Sequence, residues 1–198
     1  LYGMGGVLAA VEAILTESGD QRQVENAYCL VRPPGHHAER DLGRGFCIFN
    51  NIVLGVLHAR TVWNDLSSLT RGSGSSHGSC SAAAGSSENR RKNMRVAIVD
   101  YDVHHGNGTQ QAFWNDPDVL FSNYPLHTGR LHEVGDPEAV CNGWNTTINI
   151  PLPPGSGKGA YAYTFSTVVL PALTRFAPEM IFVSSGFDAS YADPLAAM

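Results

Sequence analysis

Two carboxylates and an imidazole stand at alternate positions where an apolar stretch of the chain ends. Residues 96–99 are apolar and mostly β-branched, which is typical of a strand buried on both faces of a parallel sheet. Asp100, Asp102 and His104 follow, and because side chains of an extended chain repeat every two residues, all three face one side. Two acids and an imidazole this close need a cation or a hydrogen-bond network to compensate them. A divalent metal is the simplest compensation, although the acids could instead lie in a turn and cap a following helix.

A pair of histidines follows a second apolar stretch. Residues 27–32 predict a short buried strand, and the Pro-Pro-Gly sequence after it ends the strand in a turn. His36 and His37 come next, at the carboxyl end of a predicted parallel strand, where open α/β sheets bind their ligands. An imidazole shuttles protons near neutral pH when a carboxylate or amide fixes its tautomer. The pair is therefore a candidate for proton transfer, with an ordinary surface loop as the alternative.

A third apolar stretch, residues 180–184, also leads into acids. It is followed by Asp188 and then by Asp193, which precedes a proline. An Asp-Pro pair is a common helix cap. In company with Asp102 and His104, however, Asp193 is better interpreted as a metal ligand. Two carboxylates and one histidine leave a fourth position on zinc for water, as a hydrolytic site requires.

The elements that must position these residues alternate between strand and helix. The predicted strands are 27–32, 96–99, 119–122, 146–150 and 180–184, and the predicted helices are 4–15, 46–60, 110–113 and 161–175. Pro171 would kink the last helix. This alternation predicts an α/β fold with a parallel sheet, whose carboxyl edge gathers the acids and histidines.

The composition bounds the class of protein. At 198 residues and 43% hydrophobic, the chain suits one domain, with a flexible Ser/Gly-rich insertion at 64–93. The formal net charge of -5 argues against a nucleic-acid or anionic-membrane surface. The four cysteines form no Cys-x-x-Cys pair, which favours a reducing, intracellular compartment. No apolar run reaches the ~20 residues of a membrane span. The chain starts at Leu1 inside a helical pattern, which suggests a fragment.

Five motifs, in this order, resemble the zinc-dependent histone deacetylase and acetylpolyamine amidohydrolase superfamily. They are RPPGHHA at 32–38, GFC at 45–47, the Asn pair at 50–51, DYDVHHGNGT at 100–109, and GFDA at 186–189 with Asp193 and Pro194. The match extends over nearly the whole chain outside the insertion. Asn107 and the Pro-Pro pair are more similar to the class II and bacterial branch than to class I. The resemblance implies a three-layer α/β/α fold with a mainly parallel sheet, arginase/deacetylase-like, and a single, partial catalytic domain over residues 1–198.

The resemblance also implies the metal ions. Asp102, His104 and Asp193 would hold Zn²⁺, and Asp100, Asp102 and Ser122 would lie near a buried site for a monovalent cation such as K⁺. A ureohydrolase-like binuclear manganese enzyme has a similar architecture. The histidine pair and the single set of three ligands disfavour that alternative.

The catalytic group follows from the same resemblance. His37 would be the general base that takes a proton from water, with His36 as its electrostatic partner. Asp100 would hydrogen-bond His36, and Asn107 would orient His37. Such contacts fix the tautomer of a proton-shuttling imidazole.

The implied substrate is an acetylated amine. Gly45 and Phe46 would line a narrow channel that admits it, whereas a lone Phe is otherwise usually core. Acetyl-lysine in histones or other proteins is the expected substrate, and an acetylated polyamine is the alternative. Neither a nucleic acid nor a membrane is an expected partner, and the expected compartment is the nucleus or the cytoplasm.

The chain departs from the family pattern in its last segment and in one internal loop. The family's transition-state tyrosine lies in a Gly-Gly-Tyr segment that is not reached before Met198, and Tyr191 is near enough in sequence to be examined as a substitute. The loop after Ser122 lacks the family's second aromatic wall and its customary histidine. Losing one oxyanion donor typically costs about 10²–10³ in turnover. A truncated, inactive binding module is therefore a further alternative.

Overall fold

A computed structural model describes residues 1–16, 24–71, 93–125 and 146–194 of the chain. Its helices are α1 (Tyr2–Thr16), α2 (Asn51–Arg71), α3 (Asn107–Phe113), α4 (Lys158–Thr164) and α5 (Leu170–Phe176), with a π-helical turn (Phe165–Val169) between the last two. Its strands are β1 (Val96–Asp100), β2 (Val119–Asn123), β3 (Thr147–Asn149) and β4 (Met180–Ser184). No helix in these ranges is long and apolar enough to cross a membrane.

The four strands form one parallel sheet in the order β3-β2-β1-β4. The central strand β1 ends at Asp100, which is in register with Asn123 of β2 and Ser184 of β4. The segments that leave β1, β2 and β4 therefore emerge side by side at the carboxyl edge of the sheet. Open α/β sheets place their ligands at this edge.

Side chains on the two faces of the sheet belong to two separate apolar clusters. Ile98 points into a cluster with Val11 of α1 and Val56 of α2, whereas its neighbour Val99 packs on the other face with Val169 of the π-helical turn. Helices thus cover both faces, because adjacent residues of a strand point in opposite directions. The predicted three-layer α/β/α architecture is confirmed.

Helix α2 approaches the sheet closely because of one glycine. A side-chain carbon at Gly55 would lie 2.9 Å from both the Phe182 ring of β4 and Val7 of α1. Asn50 precedes the helix, and its Oδ1 accepts a hydrogen bond from the backbone N–H of Val53 at 3.1 Å, as a helix N-cap does. The helix is therefore fixed in position at the end that faces the carboxyl edge of the sheet.

Four predicted elements differ from the structure. Residues 27–32 do not form a strand, and Leu30 is 87% exposed, because no strand within the described ranges lies beside this segment. Helix α2 begins at Asn51 rather than at residue 46 and continues to Arg71, so residues 64–71 of the predicted flexible insertion are helical. Residues 72–92 lie outside the described part. The helix predicted at 161–175 contains the π-helical turn just before Pro171, which has no N–H to donate. Strand β4 is only partly buried, with Ile181 and Val183 about half exposed.

Candidate active site

Three potential metal ligands converge at the carboxyl edge of the sheet. Asp102, His104 and Asp188 each offer one ligand atom, and these atoms lie within 4.8 Å of one another. His104 Nδ1 is 2.6 Å from Asp188 Oδ2 and 3.2 Å from Asp102 Oδ1. Asp102 and His104 come from the segment after β1, and Asp188 comes from the segment after the adjacent strand β4.

The donor set suits a divalent cation. Hydrogen bonds to Asp102 and then to Asp188 raise the pKa of His104 to about 10, because both carboxylates stabilise positive charge at the imidazole. The same two carboxylates would stabilise a metal ion. Two oxygen ligands and one imidazole nitrogen match the ligand types of catalytic zinc and leave a position for water. The residues present therefore fit Zn²⁺.

In the structure Asp188, rather than the predicted Asp193, joins Asp102 and His104 in this group. Asp188 Oδ1 accepts a hydrogen bond from Val103 N–H at 3.1 Å, which ties the segment after β4 to the segment after β1. Gly186 makes this approach possible, because a side-chain carbon there would collide with the Asp102 carboxylate. Asp193 is outside the converging group, and its backbone N–H donates to Ser190 O at 2.9 Å within a turn. In the sequence, the feature that favours Asp188 over Asp193 is Gly186, two residues before Asp188.

His36 is buried between two carboxylates. Its Nδ1 lies 2.9 Å from Asp100 Oδ2, and its Nε2 lies 3.7 Å from Asp102 Oδ2. A carboxylate oxygen accepts, so Nδ1–H donates to Asp100. Burial alone would lower the pKa of His36, but the charge of Asp100 and its hydrogen bond outweigh burial and raise that pKa. The structure thus contains the expected contact of Asp100 with His36, and it favours a charged imidazole there.

His37 has a different environment, although it is the next residue. Its Nδ1 lies 2.7 Å from Asn107 Oδ1, so the contact expected between these two side chains is present. Burial and then the charge of His36 lower the pKa of His37. Its ring centroid is 4.1 Å from that of His36 and 6.1 Å from that of His104. A neutral imidazole with its Nδ1 engaged has Nε2 available to accept a proton.

Gly45 and Phe46 lie beside the histidine pair in two successive left-handed conformations, with φ of 56° and 64°. A side-chain carbon at Gly45 would collide with the His37 ring, so the backbone here packs directly on the imidazole. Phe46 is 81% exposed. Among the described residues it therefore stands at the rim of the site rather than in the core.

The structure adds one buried polar residue that sequence reasoning missed. Asn123 ends β2 and is fully buried, and its Oδ1 accepts a hydrogen bond from Gly106 N–H at 2.8 Å. A side-chain carbon at Gly106 would lie 2.5 Å from Asp100 Oδ2, so Asn123 holds the loop that covers this acid. The signal was an amide side chain at the end of an otherwise apolar strand, beside Asp100.

Two further predictions from the sequence concern Ser122 and Tyr191. Ser122 is buried, and its Oγ donates to Ile98 O at 3.4 Å, so the expected monovalent-cation site stays a prediction. Tyr191, considered as a substitute for the family's tyrosine, is 91% exposed. Tyr101 Oη instead contacts Ser185 Oγ, which links β1 to the start of the segment after β4.

The parallel sheet with helices packed on both faces defines a three-layer α/β protein whose candidate site lies at the carboxyl edge of the sheet. The family model described as "Histone deacetylase domain" matches residues 1–67 and 79–198, and the chain belongs to the histone deacetylase family.

Curated and solved relatives agree with this assignment. The chain is 37% identical over 204 residues to "Histone deacetylase 10, chloroplastic" of Oryza sativa subsp. japonica, covering 100% of this chain and 39% of that protein. It is 37% identical over 200 residues to a "Histone deacetylase-like amidohydrolase" of Pseudomonas aeruginosa, covering 98% and 43%. The crystal structure of an acetylpolyamine aminohydrolase from Burkholderia pseudomallei superimposes with a TM-score of 0.70 at 28% identity, covering 99% and 48%. The chain thus spans about two fifths of the length of these curated relatives.

Proposed function

We propose that this chain forms the metal-binding part of a zinc-dependent deacetylase that removes acetyl groups from acetyl-lysine in histones or other proteins. The observation that supports it most is the group of Asp102, His104 and Asp188 next to an imidazole, His37, whose Nδ1 is engaged by an amide. Family membership supports the hydrolysis of an amide, and the two acids with one histidine support zinc. The 198 residues belong to one catalytic domain in this proposal.

The histidine pair divides the proton chemistry. When bound, Zn²⁺ would polarise the acetyl carbonyl and make the attacking water more acidic. His37 accepts the water proton at Nε2 and returns it to the departing amine nitrogen. His36, buried and held by Asp100, contributes positive charge that keeps His37 neutral before the reaction. Asn107 keeps the proton of His37 on Nδ1, so Nε2 carries no proton and can accept one.

The rim supports an elongated acetylated amine. Phe46 is exposed beside Gly45, whose backbone packs on His37, so an acyl-amine chain that reaches His37 would pass the Phe46 ring. An acetylated polyamine is a second candidate substrate, because a structure named for that activity matches nearly the whole chain. The nucleus or cytoplasm is the proposed compartment for the protein substrate. A K⁺ ion near Asp100 and Ser122 would compensate buried charge there.

Substrate class can be tested by measuring acetate release with the complete, zinc-loaded protein. The two substrates are an acetyl-lysine peptide and a monoacetylated diamine, each compared with its non-acetylated form. The proposal predicts a larger kcat/KM for the peptide. A larger kcat/KM for the diamine would mean that the preferred substrate is an acetylated polyamine, and the proposed hydrolase activity would still hold. No acetate from either would favour the alternative of a binding module without catalytic activity.

A further inference from the structure

The Asn107 amide that contacts His37 is itself held at its other end. Its Nδ2 donates to Glu39 Oε1 at 2.6 Å, while its Oδ1 lies 2.7 Å from His37 Nδ1. Arg44 Nη2 in turn lies 2.5 Å from the same Glu39 oxygen. The four side chains form a line from the exposed Arg44 to the candidate base.

The hydrogen-bonding chemistry of Glu39 fixes which atom of the Asn107 amide faces His37. An ionised carboxylate only accepts hydrogen bonds, so the side of Asn107 that faces Glu39 must be the NH₂ group. The carbonyl oxygen then faces His37, and because a carbonyl also only accepts, His37 must carry its proton on Nδ1. If the amide were reversed, its NH₂ group would donate to Nδ1. The proton would then sit on Nε2, and His37 could not act as a base there.

The backbone around Glu39 is held on both sides. Its N–H donates to Leu42 O at 3.0 Å, which closes the turn that brings Arg44 back to the carboxylate. The backbone N–H groups of Gly108 and Thr109 donate to His36 O at 3.0 and 3.2 Å, so the start of α3 is tied to the histidine pair. Glu39 and Asn107 therefore lie on two segments that cannot shift independently.

We propose that Glu39 is a positioning residue that sets the orientation of the Asn107 amide and, through it, the tautomer of His37. Arg44 pairs with the Glu39 carboxylate and holds it towards Asn107. The inference relies on the proposed function only in taking His37 as the base. The tautomer itself is a property of the folded chain and can be measured without substrate or metal.

The decisive variant is Glu39→Gln, in the complete protein labelled with ¹⁵N-histidine. A neutral glutamine no longer forms an ion pair with the exposed Arg44, and its side chain can donate as well as accept, so it permits both orientations of Asn107. We expect the ¹⁵N spectrum of the metal-free variant to show His37 as a mixture of tautomers, against a single Nδ1–H form in the original protein. With zinc, kcat should fall about 10- to 100-fold, as for other groups that orient a functional histidine, with KM and zinc content unchanged. Asp41→Asn, an exposed acid two residues along, is the matched control and should change neither readout.

A second pair of variants separates positioning from packing. Asn107→Asp places two carboxylates against each other, so it should lower kcat. Adding Glu39→Gln to Asn107→Asp should recover much of the loss, because the glutamine can donate to the new carboxylate, which needs no orienting group. Glu39→Gln would thus be harmful in one background and beneficial in the other. Loss of a merely structural ion pair would be harmful in both.

Each outcome of these experiments either supports or overturns the role proposed for Glu39. A single Nδ1–H tautomer and unchanged kcat in Glu39→Gln would overturn the inference, as would a double variant worse than either single one. If Glu39→Gln fails to fold, Arg44→Gln gives the same readouts with a smaller expected change, and an unchanged tautomer there would overturn the inference. If the complete protein releases no acetate, the proposed function fails, while the tautomer in the metal-free protein still decides the role of Glu39.

Discussion

The segment after β1 and the segment after β4 share the candidate metal ligands, yet they are held differently. The first follows Asp100, which His36 holds, and it is mostly buried except at His104, with Gly106 bound by Asn123. The second is more exposed: Asp188 ties it to Val103 and His104, and the backbone hydrogen bonds of Ser190 and Asp193 belong to local turns. Two of the candidate ligands therefore lie on the segment with more contacts to the rest of the chain, and the third is brought to them from the other segment.

The largest expected effect tests which acid the second segment contributes. Asp188→Asn should abolish stable zinc binding and with it deacetylation, because a neutral amide is a poorer ligand than a carboxylate. Asp193→Asn should leave the zinc content of the protein unchanged. Elemental analysis of both purified variants measures this. Zinc loss from Asp193→Asn, with full occupancy in Asp188→Asn, would restore the ligand predicted from sequence.

The second largest expected effect tests whether His37 is a general base or a metal ligand. His37→Ala should lower turnover by about 10²–10⁴, the usual contribution of a general base, while zinc content stays at the original level. The physical reason is that His37 Nδ1 is engaged by Asn107 and His37 lies outside the converging ligand group. Kinetics at matched zinc occupancy measure it. A variant that lost its metal would make His37 a ligand.

A pH effect follows from His104. Its folded pKa of about 10 lies above the ordinary value of 6.5, so in the metal-free protein the imidazole is protonated at pH 7 and must lose its proton to bind zinc. Apparent zinc affinity should therefore rise about tenfold per pH unit from pH 7 towards pH 10 and then level off. Calorimetry in buffers of different ionisation enthalpy should detect close to one proton released. Binding that is independent of pH in this range would contradict the raised pKa.

The smallest effects compare the two segments directly. Gly106→Ala pushes a methyl group against buried Asp100, so it should lower the free energy of unfolding by about 1–3 kcal/mol, the usual range for overpacking. Gly186→Ala meets Asp102 from the more exposed segment, which can move away. Its cost should appear as weaker zinc binding with a smaller change in stability. Denaturant unfolding and zinc titration of the two variants test this, and equal losses of stability would remove the difference between the segments.

Sequence reasoning found residues that the site brings together, but not the turns that bring them together. Asp102 and His104 were paired by assuming an extended chain, yet β1 ends at Asp100 and the next residues bend, with the His104 N–H donating to Asp102 Oδ1 at 2.8 Å. The same reasoning could not choose between Asp188 and Asp193, since neither is in the strand and only the approach of Gly186 to Asp102 selects one.

The fold shows the same division. Strands β1, β2 and β4 were predicted within a residue of their ends, because their apolar runs are bounded by polar residues. The strand predicted at 27–32 did not form, since an apolar run makes a strand only when another strand lies beside it, and none does within the described ranges. Glu39 was invisible to sequence reasoning because its role depends on a contact with Asn107, 68 positions away.

Titration of the metal-free complete protein with zinc, while acetate release from an acetyl-lysine peptide is followed, tests the central claim most directly. The account predicts no measurable hydrolysis without metal and a linear rise that ends at one zinc per chain. Hydrolysis by the metal-free protein, or a rise that ends only at two metal ions per chain, would contradict a single zinc site formed by Asp102, His104 and Asp188.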